Sequence, residues 1–399
     1  MPRVLRCLVF GLISLLALGA SVRLLAPADT TSSVRRQLTF LRAELESGAA
    51  ERAQDQFPEG YFFLYALYGL AQVDLGLAGD EPDRSRREAG WALRHLESAA
   101  GRRPFDAGLT PAYGIFYRGW VNWLRGGILR LPPHDAADAA EVARFERDSA
   151  EIAAAFDASA TPYLAAYPGQ AWPVDSTVAA ASLALHDAVL SRKYQGTVAR
   201  WTAKVRAGLD PATGLIPHTA DVTTGAPTSS ARGSSQSIIQ RFLPEIDPPF
   251  ARSQYTRFRT TFLSRPLGLG PAIREYPHGT DGAADVDSGP LPLGVSFAAT
   301  VVTIGAAKVQ GDESLADGLA RFGEVAGLPI DTWHTRRYAF GLLPIGDAFL
   351  AWSKSARPWV AATPPPPKRA VPGWWPLPLL VVFVAIGAAP WLIRLRRRS

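Results

Sequence analysis

The feature that most constrains this chain is a phrase repeated six times: a polar loop rich in proline and glycine that runs into an apolar stretch of aromatic and small residues. It stands at Phe57-Pro-Glu-Gly-Tyr-Phe-Phe, Thr110-Pro-Ala-Tyr-Gly-Ile-Phe-Tyr, Trp172-Pro-Val-Asp-Ser-Thr-Val, Ser230-Ala-Arg-Gly-Ser-Ser-Gln-Ser-Ile, Asp285-Val-Asp-Ser-Gly-Pro-Leu and Tyr338-Ala-Phe-Gly-Leu-Leu-Pro-Ile-Gly. The starts lie roughly 50 to 60 residues apart, about one helical hairpin each, and such a period argues for a repeat architecture.

Between the phrases run longer, more charged segments: Ser33 to Glu46, Arg84 to Gly101, Asp138 to Phe156, Asp187 to Ala207, Pro249 to Phe262 and Glu313 to Val325. In the third, Val142, Phe145, Ser149 and Ile152 form one stripe, the pattern of an outer helix with a single buried face. The phrases at Trp172, Asp285 and Tyr338 lead into stretches apolar on nearly all sides, as inner helices should be. Strand signals are scarce. The expected fold is all-α, twelve helices forming an (α/α)6 toroid over residues 26–361.

Both ends read as membrane segments. Residues 1–25 combine a short basic start, Arg3 and Arg6, with the apolar run Cys7 to Ala20, as in a signal peptide or signal anchor. Residues 374–393 are uncharged and about as long as the ~20 residues needed to cross a bilayer. The tail 394–399 follows with Arg394, Arg396, Arg397 and Arg398. The positive-inside rule places both termini in the cytoplasm and the domain outside, with a bilayer as its partner. Residues 362–373, including Pro364 to Pro372, read as a stiff polyproline spacer.

The only cysteine is Cys7, so the outer domain has neither a disulfide nor a thiol nucleophile. A formal charge of +6 owes much to the terminal arginines; no basic stripe or nucleic-acid motif accompanies it, and no nucleic-acid partner is expected. The six histidines make no zinc-binding pattern, and nucleophile elbow, P-loop and dinucleotide fingerprint are missing. No cofactor or metal is expected. Asp285-Val-Asp-Ser-Gly has the spacing of part of a calcium loop but lacks the glutamate at position twelve. Carboxylate acid/base chemistry remains.

In a ring of hairpins the loops before the inner helices gather at one mouth, where helix N-termini point their positive ends. Asp175, Glu275 and Asp287 are the catalytic candidates there. Tyr65, Tyr113, Trp172, His218, Arg232, Tyr276, His278 and Asp285 are candidates for holding substrate. For each acid the competing role is structural: Asp175 and Asp287 both stand where a helix N-cap is expected.

The six-phrase layout, Tyr167-Pro-Gly-Gln-Ala-Trp-Pro-Val-Asp175, and Arg274-Glu-Tyr-Pro leading to Asp285-Val-Asp-Ser-Gly-Pro together resemble the α/α-toroid superfamily. That group includes linalool dehydratase/isomerase-like proteins, glucuronyl C5-epimerases and six-hairpin glycosidases. The resemblance spans about Ser33 to Trp352 and implies a cavity at the inner-helix N-termini with chemistry on sugars, polyols or alcohols. Taken with the membrane segments at both ends, the expectation is a membrane-anchored glycoside hydrolase, epimerase or lyase acting on a cell-envelope glycan. The alternatives are a linalool dehydratase/isomerase-like enzyme, whose site cysteines this chain lacks, and a non-catalytic glycan-binding or scaffold protein. Oligomeric state is left open.

Overall fold

The computed structural model describes residues 3–26, 31–131 and 139–396, with the backbone alone for residues 3 and 394–396. Asp138, the expected start of the third outer helix, and Arg397 and Arg398 of the basic tail lie outside the described residues.

The described chain is mostly helical. After α1 (Arg3–Leu25) come α2 (Thr31–Glu46), α3 (Ala49–Gln56), α4 (Gly60–Leu77), α5 (Pro82–Leu96), α6 (Ala99–Arg102), α7 (Gly114–Arg130), α8 (Ala139–Ala158), α9 (Pro173–Val189), α10 (Gln195–Ala207), α11 (Gly233–Phe242), α12 (Pro248–Phe262), α13 (Phe297–Val309), α14 (Glu313–Ala326), α15 (Pro344–Ser355) and α16 (Leu377–Arg396).

Two kinds of helix alternate. In α4 almost every residue from Gly60 to Gly76 is buried, because its sequence offers no polar face to water. In α8 only the stripe Phe145, Ser149, Ile152, Ala153 and Phe156, with Ala155, is buried. The buried helices touch in the order α4, α7, α9, α11, α13, α15, and α15 returns to α4. The amphipathic helices lie outside them: α2 on α15 and α4, α5 on α4 and α7, α8 on α7 and α9, then α10, α12 and α14 on α9, α11 and α13. Small residues permit the close crossings. A Cβ on Gly119 of α7 would stand 3.0 Å from Ala179 of α9, tighter than ordinary packing allows.

The far end, where the buried helices finish, is closed by the chain after α15. Trp359 stacks on Trp123 with centroids 4.6 Å apart. Its indole donates to Asp74 at 2.8 Å, while Arg241 donates to the other oxygen at 3.0 Å. Glu245 accepts the backbone N–H groups of Trp359, Val360 and Ala361 at 2.7, 2.8 and 3.0 Å. A buried carboxylate surrounded by donors in this way fixes a segment without regular structure.

At the opposite end the connections into the buried helices carry three small hairpins: β1 with β2 (Thr219–Ala220, Pro227–Ser229), β3 with β4 (Leu263–Ser264, Ala272–Ile273) and β5 with β6 (Ile330–Asp331, Arg336–Arg337). Strands of two or three residues are too short to give a readable alternation.

Three expectations need correction. The fifth phrase does not start its helix at Asp287 or Ser288: residues 285–296 stay in a loop, and α13 is capped by Ser296, whose side chain accepts from Ala299 N at 3.1 Å. Asp187 belongs to the end of α9, where it accepts the backbone N–H groups of Lys193 and Tyr194 ahead of α10. The proline-rich stretch is no free spacer, since the Pro365 carbonyl accepts from Arg252 and Val371 is buried.

The terminal helices α1 and α16 pack antiparallel. Ser14 donates to the Gly387 carbonyl at 2.9 Å and accepts from the Trp391 indole at 2.9 Å, and Phe10 meets the Trp391 ring edge-on at 5.8 Å. Among the described helices only α1, over Val4–Leu25, is long and apolar enough to cross a membrane; the apolar part of α16, Leu377–Ile393, is shorter.

Candidate functional site

Three acids from separate parts of the chain come near one another at the end where the buried helices begin. Glu59 sits just before α4, where Gly60 lets the turn run against Ala53, whose carbonyl a Cβ would meet at 2.4 Å. Asp175 lies in the first turn of α9, set by Pro173. Asp287 lies in the long loop before α13.

Tyr167 ties the first two loops together. It is carried on the Tyr167–Gln170 turn, closed by Gly169 at φ 70°, and donates a short hydrogen bond to Glu59. Burial, then that bond, pushes the phenol well above its usual range, and the charges of Glu59, Asp175 and Asp287 add to it. Trp172 meets the same ring edge-on at 5.6 Å.

Asp175 is 6% exposed, and its carboxyl is raised well above the ordinary range by burial first, then by the charges of Asp287 and Glu59. The Trp120 indole N–H is near enough to favour the charged form slightly, yet it forms no hydrogen bond of proper geometry. Asp287 is raised to about 6, again by burial first and then by Asp285 and Glu59. Its surface is open to water although most of its surroundings are protein, as for a carboxyl lining a cleft. Neither side chain caps a helix: the residue at the N-cap of α9 is Trp172 and that of α13 is Ser296. Among the described residues no lysine or arginine forms an ion pair with Glu59, Asp175 or Asp287.

Glu275 behaves differently. It is fully buried and accepts from Arg232 Nε at 2.7 Å, Ser234 Oγ at 2.7 Å and Ser234 N at 3.1 Å, so it caps α11 from another loop. Burial raises its carboxyl, opposed by the Ser234 and Arg232 contacts. Arg232 reaches on to Asp285 at 2.6 Å and lies over the Tyr276 ring at 5.2 Å. Asp285 is held below its usual range, Arg232 and Ser288 outweighing its burial. His218 makes a short hydrogen bond with Ser235, and burial, then Arg232, lowers it to about 4. It is therefore neutral at physiological pH.

The expected residues thus divide. Asp175, Asp287 and Trp172 come together with Glu59 and Tyr167. Arg232, Asp285, Tyr276 and His218 surround Glu275, a strut whose charge is the weakest of the acidic influences on Asp287. Tyr65 is away from the opening, stacked on His95 at 4.2 Å in the α4–α5 core. Tyr113 opens α7 at φ 69° with Arg102 over its ring at 5.4 Å. His278 bonds the Leu263 carbonyl at 3.0 Å, securing the end of α12. Glu59 and Tyr167 were not among the predicted site residues, although each stands in a phrase or directly before one. A separate groove of about 630 Å³, lined by Asp187, Arg192, Arg206 and Asp247 among others, holds none of the acids.

No protein-family model matches this chain, and no curated protein is similar to it.

Proposed function

We propose that the chain is an (α/α)6 toroid enzyme, anchored to a membrane on its extracytoplasmic side, that performs acid/base chemistry on a glycan with Asp175 and Asp287. The observation that carries this reading is the meeting of two carboxyls, one from the first turn of α9 and one from the loop before α13, neither in an ion pair with a base nor used as a helix cap. The cyclic order of the buried helices supports the toroid. The antiparallel pairing of α1 with α16 keeps both termini on one side, in keeping with the arginines at each end.

In this reading Asp175, whose carboxyl is pushed up by burial and by the charges of Asp287 and Glu59, is the proton donor: to the glycosidic oxygen as its bond to carbon breaks in a hydrolase or lyase, or to the opposite face of the carbon in an epimerase. Asp287, poised near neutrality, takes a proton from water in a hydrolase or from carbon in an epimerase or lyase. Tyr167 and Trp172 supply an aromatic wall for a sugar ring, and Glu59 fixes the phenol's direction.

The test is a glycan panel assayed with the full-length protein and with Asp175→Asn and Asp287→Asn. Each variant should fold and lose about 10²-fold or more in turnover. Wild-type rate should climb as pH passes about 6, and Asp287→Asn should remove that limb. Unchanged turnover in both variants refutes the acid/base reading and leaves a glycan-binding role.

A further inference from the structure

Three turns at the open end share one unusual construction. At Pro266-Leu-Gly268, Pro292-Leu-Gly294 and Ala339-Phe-Gly341 the central residue is left-handed, with φ of 52°, 56° and 61°, and a left-handed glycine follows. Leucine and phenylalanine are poor residues for that conformation, which favours glycine or asparagine. Their side chains also gain nothing from the fold, since Leu267, Leu293 and Phe340 are 79%, 62% and 60% exposed. Trp333 and Leu342 are exposed in the same connections, and Phe297 at the first position of α13. Neither backbone preference nor burial explains these residues in water, and exposed apolar groups collected along one edge mark a contact surface.

The terminal helices join the domain beside this edge. The carbonyl of Pro364 lies against Gly311 at the start of α14, and Val371 and Trp375 lie against Gly318 in its middle. The Leu25 carbonyl accepts from Arg321, and Arg265, next to the first turn, lies over the Trp374 ring at 4.6 Å. Leu24 and Leu379 are buried in one cluster with α14, on whose edge Leu263, Leu269, Phe322 and Phe383 also pack. The contacts therefore climb α14 toward the end where the loops to α15 begin. Beyond them both helices present leucines and valines outward, from Leu8 to Leu18 and from Val381 to Ile393. The second turn lies in the loop that carries Asp287 and is fastened to the Glu275 strut, whose backbone N–H donates to the Gly294 carbonyl at 3.1 Å.

We infer that the open end of the ring rests on the bilayer surface, with Leu267, Leu293 and Phe340 seated among lipid headgroups, so that the site receives the polar head of a lipid-linked saccharide. The occupant of the apolar edge is lipid because that edge is continuous with the outward surface of α1 and α16. The substrate part rests on the acid/base reading above; the orientation does not.

The experiment uses full-length protein in vesicles of phosphatidylcholine and phosphatidylglycerol. In a Cys7→Ser background, single cysteines replace Leu267, Leu293 or Phe340, or Ala78 at the far end. Each carries an environment-sensitive fluorophore, and lipids bearing a nitroxide at the headgroup act as quencher. Severalfold stronger quenching at the three turns than at position 78 is expected; equal quenching overturns the orientation. A glycolipid in the same vesicles should be turned over or retained severalfold better than the free oligosaccharide of its head, and Leu293→Asp with Phe340→Asp should erase that preference. Equal handling of the two by the wild-type protein overturns the substrate class. Turnover that survives Asp175→Asn alongside intact quenching marks a failure of the acid/base reading instead.

Discussion

Asp287→Asn should make the protein more stable at neutral pH, because the native carboxyl occupies a place where its charge is unwelcome. Its value of about 6 stands above the ordinary 3.8. The folded chain thus holds this proton more tightly than the unfolded chain. The stability gained from protonation is complete below about pH 4 and disappears as pH rises through about 6. The full difference corresponds to about 3 kcal/mol, but the side chain is open to solvent, and screening reduces it to on the order of 1 kcal/mol. Asparagine has no such dependence. Denaturant unfolding of the full-length protein in detergent, followed by the fluorescence of its 11 tryptophans, should show the variant more stable by ~1 kcal/mol near pH 7.5 and indistinguishable near pH 4. A variant equally or less stable than wild type at both values would refute the claim that Asp287 shares a crowded acidic site.

Glu275→Gln should cost about 3 kcal/mol or more, since it leaves the half-buried Arg232 without its buried partner and weakens the cap of α11. Thermal melts should show the loss while turnover per folded molecule changes little; lost turnover without lost stability would return Glu275 to the catalytic set. Trp359→Ala should cost about 3–5 kcal/mol by opening a cavity against Trp123 and removing a donor to Asp74. Equilibrium unfolding measures it, and a loss below about 1 kcal/mol would mean that the far end is not closed by this residue.

The period of the phrases made the alternation of buried and amphipathic helices legible, because an inner helix that touches neighbours on every side carries few charges, and Asp74 in α4 is paired with Arg241. The start of α13 was misread: Asp287, Ser288 and Pro290 have the composition of a helix start, but a second proline, Pro292, opens a further turn before the true cap at Ser296. Glu275 looked catalytic because histidine, tyrosine and arginine crowd around it in sequence. Its role is decided by Arg232 and Ser234, more than forty residues away, a pairing no local pattern encodes. Glu59 went unnoticed for the converse reason. Its phrase holds no second charged group, and its meaning comes from Tyr167, 108 residues further on.

The fold works against ionisation at the site from two directions and in favour of it from one. The N-terminal end of α9 favours negative charge on Asp175, an influence of about 0.3–1 kcal/mol. Burial and the mutual repulsion of three acids oppose it, and for Asp175 the outcome is a carboxyl raised well above its ordinary range. Protonation is thereby favoured at Asp175 and Asp287, and a proton gained there belongs to the coupled pair more than to one residue. Arg232 relieves Asp287 only in part, because its guanidinium forms its ion pairs with Glu275 and Asp285. A site meant only to be stable would place a base among Glu59, Asp175 and Asp287. Leaving them unpaired costs stability that the closed far end and the buried helices offset, and under the proposed acid/base reading it sets a proton donor near a proton acceptor.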